Sequence, residues 1–225
     1  MKKLAIVVCI LLLFAGVANA AQHTDSVTTS LTKTDWIKTL QLDKFDPIWG
    51  HLTSVTFQIS GLVNGTCGLE NLADTPTEVS VSYTATLTLL RPGGATLVSS
   101  AATCSNNYTL ANPYDGVICF GEDPDINPTS YYTYTGLDVN VPLMSQMITS
   151  NFADFIGTGK MDFNVDARAR SRTEASGNVA LKYETNAEAT ATVIYEYTTT
   201  PEPGSLIALC TGLVGIAGLS FRRRK

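Results

Sequence analysis

The tightest constraint on this chain is a strict two-residue alternation of apolar and polar side chains that recurs along its middle. Val55, Phe57 and Ile59 alternate with Thr56 and Gln58. Val79, Val81, Tyr83, Ala85, Leu87 and Leu89 alternate with Ser and Thr. Met161, Phe163 and Val165 follow the same rule, as do Val179, Leu181 and Tyr183, and then Ala187, Ala189, Ala191, Val193, Tyr195 and Tyr197. A period of two with β-branched and aromatic residues places one face of an antiparallel strand on a core and the other in water. Gly61, Asn64-Gly65, Arg91-Pro92-Gly93-Gly94 and Ser176-Gly177-Asn178 supply turn chemistry between such runs. Two hairpins are expected, one at residues 91–94 and one at 176–178. One helical stretch is expected, at 142–155, on the spacing of Leu143, Met147, Ile148, Phe152 and Phe155. The fold class that follows is all-β, an antiparallel β-sandwich with a jelly-roll-like variant as the alternative.

The two ends break the pattern. Residues 1–20 combine Lys2 and Lys3, a nearly continuous apolar run from Leu4 to Val17, and Ala18-Asn19-Ala20. Those three parts make a signal peptide whose helix is removed by signal peptidase before Ala21. Cys9 lies inside the apolar run, which argues against a lipoprotein signal. At the other end, Ser205 to Phe221 is a 17-residue run without a charge. As a helix it spans roughly 26 Å, slightly short of a ~30 Å hydrocarbon core. Arg222, Arg223, Arg224 and Lys225 can snorkel to cover the deficit, and their charge keeps them cytoplasmic. Pro201-Glu202-Pro203-Gly204 stands before this transmembrane helix as a stiff neck, with Pro203 placed to start it.

Pro201-Glu202-Pro203, the Gly- and Leu-rich helix and the terminal Arg cluster, in that order over residues 199–225, resemble the PEP-CTERM sorting signal. The resemblance implies recognition by an exosortase, a membrane cysteine protease-transpeptidase of Gram-negative bacteria. It also implies removal of the helix and basic tail, and passage of the protein to the cell surface or the exopolysaccharide matrix. Pro201, Glu202 and Pro203 would then be read by another enzyme rather than act in catalysis here.

Residues 21–198 form the exported domain. The whole chain carries 15 cations and 20 acids; removing the two ends takes six of the former and one of the latter, and the exported part is left at about −10. Such a charge disfavours nucleic acid and anionic membranes as direct partners. Within this domain, Lys44-Phe45-Asp46-Pro47 with Gly50-His51-Leu52-Thr53-Ser54-Val55-Thr56-Phe57 resembles the opening of the choice-of-anchor E domain. So do Leu87-Thr88-Leu89-Leu90-Arg91-Pro92-Gly93-Gly94 and the closing run from Ala189 to Tyr197. The resemblance implies one extracellular β-rich domain followed by a surface anchor, and it brings no catalytic residues. On physical grounds Phe45 packs into the core, Pro47 ends a strand and Gly50 allows the turn into the next.

Cys67, Cys104 and Cys119 are the cysteines of the exported domain, and export favours oxidation. Cys104–Cys119 is the expected disulfide, closing a loop of about 15 residues worth roughly 3 kcal/mol in the chain-entropy model; Cys67–Cys119 is its rival. Asp123, Asp125 and Asn127 have the spacing that opens a calcium loop. Pro128 stands where such a loop needs Gly and Tyr134 where it needs Glu, which favours a solvated acidic loop. Tyr131, Tyr132 and Tyr134 read as a strand with Tyr132 and Tyr134 on the core, or as an aromatic strip for sugars. Arg168, Arg170 and Arg172 share a strand face and are expected to pair with Glu184 and Glu188 across a hairpin; binding an acidic polysaccharide is the sharper alternative. His23 is placed in a loose N-terminal segment. Asn64-Gly65-Thr66 and Asn107-Tyr108-Thr109 fit the glycosylation pattern, silent in most bacteria. No cofactor and no metal is expected.

Two classes of function emerge. One is a non-enzymatic surface or matrix protein, structural or biofilm-associated, retained with exopolysaccharide. The other is a polysaccharide-acting enzyme using carboxylates such as Asp123 and Asp125. A carbohydrate-binding module lies between them.

Overall fold

The computed structural model describes residues 20–120 and 128–199. The expected signal helix, apart from Ala20, and the expected transmembrane helix lie outside those residues. The described chain is all-β, and its strands form two antiparallel sheets packed as a sandwich. The strands are β1 (Ala20–Thr28), β2 (Thr32–Lys33), β3 (Trp36–Asp43), β4 (Gly50–Asn71), β5 (Thr77–Leu90), β6 (Thr96–Leu110), β7 (Tyr131–Tyr134), β8 (Val139–Ile148), β9 (Lys160–Ala175) and β10 (Val179–Thr199). The first sheet runs β1-β10-β4, with β7 and β8 sharing the far flank of β4 and β2 paired to β10. The second runs β3-β9-β5-β6.

The alternating runs point inward as the sequence predicts, except at Leu181, which is 39% exposed near the start of β10. Val55, Phe57, Ile59, Val63, Cys67 and Leu69 of β4 face Val79, Val81, Tyr83, Ala85, Leu87 and Leu89 of β5, all buried. Phe57 sits at the middle of one ring cluster, 5.2 Å from Phe155 and 5.3 Å from Phe163 between centroids. The Tyr83 hydroxyl donates across the sandwich to the Val63 carbonyl at 3.4 Å. One lateral side is tied by the Asp43 amide donating to Asp25 Oδ2 at 2.7 Å, the other by Ser100 Oγ donating to the Pro142 carbonyl at 2.6 Å.

Several local expectations change. The hairpin at 91–94 forms, with the Gly94 amide on the Arg91 carbonyl at 3.0 Å. Ser176-Gly177-Asn178 is instead a crossing between sheets, because β9 belongs to the second sheet and β10 to the first. Gly61 and Asn64-Gly65 are not turns; they lie inside β4, which runs for 22 residues. A Cβ on Gly61 would stand 2.2 Å from the Glu188 carbonyl oxygen and 2.5 Å from Leu87 Cδ1, so glycine is needed there for close approach rather than for reversal. A register shift opposite β8 falls at the same place. The expected helix at 142–155 is strand β8 followed by a 3-10 turn at Ala153–Phe155. Short apolar runs read ambiguously between the two periods, and the open flank of β4 decides for a strand. Pro47 opens a 3-10 turn, Pro47–Trp49, capped by the Asp46 carboxylate on the Ile48 amide, rather than ending a strand.

Because the Gly61 site has no room, Gly61→Ala is expected to destabilise the fold by about 2 kcal/mol, in the range of an overpacked core. A thermal melt should show the loss as a Tm lower by roughly 4–8 °C.

Candidate functional site

The strand that opens the sandwich is also where export processing is expected. Ala20 and Ala21 begin β1 and pair with Thr198 and Tyr197 of β10. Strand β10 ends at Thr199, opposite Gly50 of β4. The start of β1, where N-terminal cleavage is expected, and the end of β10 therefore lie side by side at one pole. Ala18, the Pro201-Glu202-Pro203 neck and the basic tail Arg222, Arg223, Arg224 and Lys225 lie outside the described residues.

That pole is built on aromatic rings. Phe45 lies 5.5 Å from Trp49, 5.3 Å from Tyr197 and 5.7 Å from Tyr195 between centroids. The buried Tyr195 hydroxyl donates to the Asp43 carbonyl at 2.7 Å. Burial first, then the Asp25 and Asp43 carboxylates, push its ionisation well above the usual tyrosine range. His23 is not in a loose segment. It sits in β1 with its ring 4.2 Å from that of Trp49, and its Nε2 is buried without a hydrogen-bond partner in this structure. Gly50 takes a positive φ of 147°, and a Cβ there would meet the Thr198 oxygen at 2.1 Å, so this residue locks β4 against the last turn of the exported domain. Neither the pole nor the place of His23 was readable from sequence, since β1 shows no apolar alternation of its own.

A second cluster lies between the sheets. Cys67 of β4 and Cys104 of β6 share it with Tyr83, Tyr108, Tyr134 and Tyr183. The expected Cys104–Cys119 disulfide is not formed, nor is Cys67–Cys119. The reason is the length of β6, which continues to Leu110 and leaves Cys104 within a strand opposite Tyr83 rather than at the mouth of a loop. Cys104 Sγ instead accepts from Asn106 Nδ2 at 3.8 Å. Burial raises the Cys67 thiol to about 11, partly offset by a hydrogen bond from Tyr183. Burial likewise raises Tyr183, to about 12, and its hydroxyl is also bonded to that of Thr173. Tyr108 is raised by burial first and then by the Cys67 and Cys104 thiols, partly offset by a hydrogen bond from Asn106. Tyr108 stacks on Tyr134 at 3.6 Å, and Tyr132 and Tyr134 pack against the core as alternation predicts. Groups pushed in this direction are protonated and unreactive, the reverse of an activated nucleophile.

The acidic loop residues Asp123, Asp125 and Asn127 lie outside the described residues. What anchors their loop is described. Asp115 accepts amides from Thr129, Val117 and Ser130, and these bonds lower its carboxyl to about 2. The Ser130 hydroxyl donates to buried Glu70 at 2.6 Å. Among the described residues no group of three or more His, Cys, Asp and Glu could hold a metal ion.

The arginines are placed differently from expectation. Arg168, Arg170 and Arg172 lie on β9, in the sheet opposite to Glu184 and Glu188 of β10, so those pairs do not form. Arg168 pairs with Asp166 at 3.0 Å and Arg172 with Glu174 at 2.6 Å along the same strand. Their cross-strand neighbours are Thr86, Thr84 and Ser82 of β5. Two hollows adjoin this strand. One, of about 360 Å³, is lined by Glu78, Ser80, Asn107, Glu174 and Ser176. The other, of about 230 Å³, is lined by Thr34, Asp35, Tyr83, Ser171, Tyr183 and Thr185.

Because Cys67 and Tyr183 hold their protons more tightly folded than unfolded, their stabilisation is complete below about pH 9 and is lost as pH rises through 11 and 12. Tm is expected to stay level up to about pH 9 and to fall steeply beyond it. At pH 8, Cys67 should resist a thiol reagent in the native protein and react in urea, read by peptide mapping.

No curated protein sequence matches the chain. Among solved structures, similarity reaches the infectious bursal disease virus Gx strain, at 11% identity and a TM-score of 0.19, over 85% of this chain and 43% of that one. The Arthrobacter globiformis T6 isomalto-dextranase complexed with panose shows 9% identity and a TM-score of 0.20, over 70% of this chain and 16% of that one. The Mud crab tombus-like virus shows 8% identity and a TM-score of 0.26, over 87% and 100%. Scores this low bear on neither fold nor chemistry. The comparison that carries information concerns the segment directly after β10: residues 199–225 match the PEP-CTERM protein-sorting motif, which implies an exported protein, transiently anchored and sorted by an exosortase.

Proposed function

We propose that this chain is a non-enzymatic protein of the Gram-negative cell surface or exopolysaccharide matrix, with a structural or biofilm-associated role. In this reading signal peptidase cleaves before Ala21, and the helix at 205–221 holds the protein in the inner membrane. An exosortase then reads Pro201, Glu202 and Pro203 and removes the helix with Arg222, Arg223, Arg224 and Lys225. The domain at 21–198, choice-of-anchor E-like, is what is delivered. The observation that carries the reading is the seam between fold and motif: the matched segment begins at residue 199, where β10 ends. The last strand and the matched segment thus meet at Thr199, which is paired to Gly50. The raised ionisation of Cys67 and Tyr183 supports a passive domain over a catalytic one.

A carbohydrate-binding module is the second reading. It is favoured by the row Arg168, Arg170 and Arg172 beside Ser and Thr hydroxyls on one sheet face. A glycan array on the released protein would separate the two.

Mass spectrometry of the protein recovered from the cell surface is expected to give an N-terminus at Ala21 and a C-terminus shortly after Pro203. Replacing Pro201 and Glu202 with Ala should leave a membrane-bound form that still carries the basic tail. An intact tail on the surface-released wild type would refute exosortase removal.

A further inference from the structure

We infer that the lateral side of the sandwich formed by β6, β7 and β8 is a self-association surface, occupied by the same side of a second copy. The argument begins with charge. The exported domain carries about −10, and charged residues occur on the other exposed strand flanks. Asp25 lies on β1, Lys38 and Asp43 lie on β3, and the part of β9 beyond β3 carries Arg168, Arg170, Arg172 and Glu174. Strands β6, β7 and β8 contain no charged residue at all. Natural sheet edges are blunted by charge, Pro or a bulge; here three adjoining strands lack charge, and on β8 Pro142 and the register shift lie before Met144, leaving Met144 to Ile148 a regular ladder to β4.

The second observation is unsatisfied backbone. Strand β8 is laddered along one flank only, to β4, and β6 along one flank only, to β5. The two edges meet through the side-chain bond from Ser100 to Pro142, and β6 meets β7 through the Tyr108–Tyr134 stack. Among the described residues no backbone hydrogen bond joins them. The third observation is apolar exposure on the same strand: Leu143 is 60% exposed, Met144 48% and Met147 53%. Met144 pairs with buried Ile59 and Met147 with Thr56, so the two lie on opposite faces of the sheet and exposed apolar side chains flank a charge-free edge on both sides, a feature that marks an interaction site.

These features select the occupant. Two bodies of like charge repel over most of their surfaces, and their approach costs least where both are uncharged. A second copy brings that same charge-free edge, an unpaired strand to extend the first sheet, and apolar side chains to cover Leu143, Met144 and Met147. A two-fold arrangement of β8 against β8 satisfies all three at once. An anionic lipid surface offers no strand partners and is repelled by the rest of the domain.

The test uses the full chain in its own cell envelope, with a photo-crosslinking amino acid placed at Met147 or, as control, at Ile37 on β3. Adducts of twice the protein's mass from Met147 and not from Ile37 are expected. Monomer alone, equal adducts at both positions, or an adduct with a different protein or lipid would overturn the proposal. Sedimentation of the purified protein should show dimerisation that tightens with added salt, as screening relieves repulsion. Leu143→Lys and Met147→Lys are each expected to weaken dimerisation at least about tenfold, by placing charge on the edge. Both side chains are exposed, so an unchanged melt will show that the fold survives. Dimerisation that is unaffected by both, or weakened by salt, would overturn the inference equally.

Discussion

The ladder between β4 and β10 is the interaction on which the structure depends. It pairs Gly50 with Thr199 at one end and Asn71 with Val179 at the other. Ordinary strands run five or six residues, and these two run 22 and 21. Strand β1 hangs on β10, while β7 and β8 hang on β4, so the whole first sheet is an elaboration of this pair. Strands of such length would not stay flat, and Gly61, Gly65 and Gly68 fall within β4 where neighbouring atoms crowd in. β10 is also the last element of the described fold, so the centre of the first sheet is filled only when residues 179–199 are available. Pairings of this sequence separation carry a high loop-closure cost and form late.

That arrangement ties the fold to sorting. The final strand is sandwiched between the first strand and the longest one, and the sorting motif starts at its last residue. An aromatic pole of Phe45, Trp49, Tyr195 and Tyr197 packs the end of that strand in place. The start of β1 lies at the same pole, Ala20 and Ala21 pairing with Thr198 and Tyr197.

The interior shows the same preference for satisfaction over reactivity. Asn71 is buried and fully engaged, donating to the carbonyls of Thr75 and Asn112 and accepting from the Ala73 amide and the Thr77 hydroxyl. The three thiols remain thiols, and Tyr183 shares hydrogen bonds with Cys67 and with Thr173. A buried polar group engaged as Asn71 is helps specify how the chain packs at little cost, because its donors and acceptor find partners.

By itself the sequence determined what depends on local spacing. The alternation of Val79 to Leu89 and of Ala187 to Tyr197 dictated strands with those residues inside, because a period of two leaves no other way to bury them. Arg91-Pro92-Gly93-Gly94 dictated its own turn, and the segment from 199 onward declared its sorting role through residues that lie next to one another. Which strands are neighbours was decided only by the tertiary structure. Ser176-Gly177-Asn178 could close a hairpin or cross between sheets with the same local geometry, and the choice separated Arg168, Arg170 and Arg172 from Glu184 and Glu188. Gly61 looks like a turn residue in one dimension; the approach of Leu87 and Glu188 makes it a packing residue. Leu143 to Ile148 could have been a helix until the open flank of β4 offered backbone partners. Cys104 lost its expected bridge because β6 ran on past it, and the charge-free side of β6, β7 and β8 exists only where segments far apart in sequence come together. Spacing along the chain encodes which face of a strand is buried; it does not encode which strand lies beside it, because that is set by summed long-range burial and hydrogen bonding.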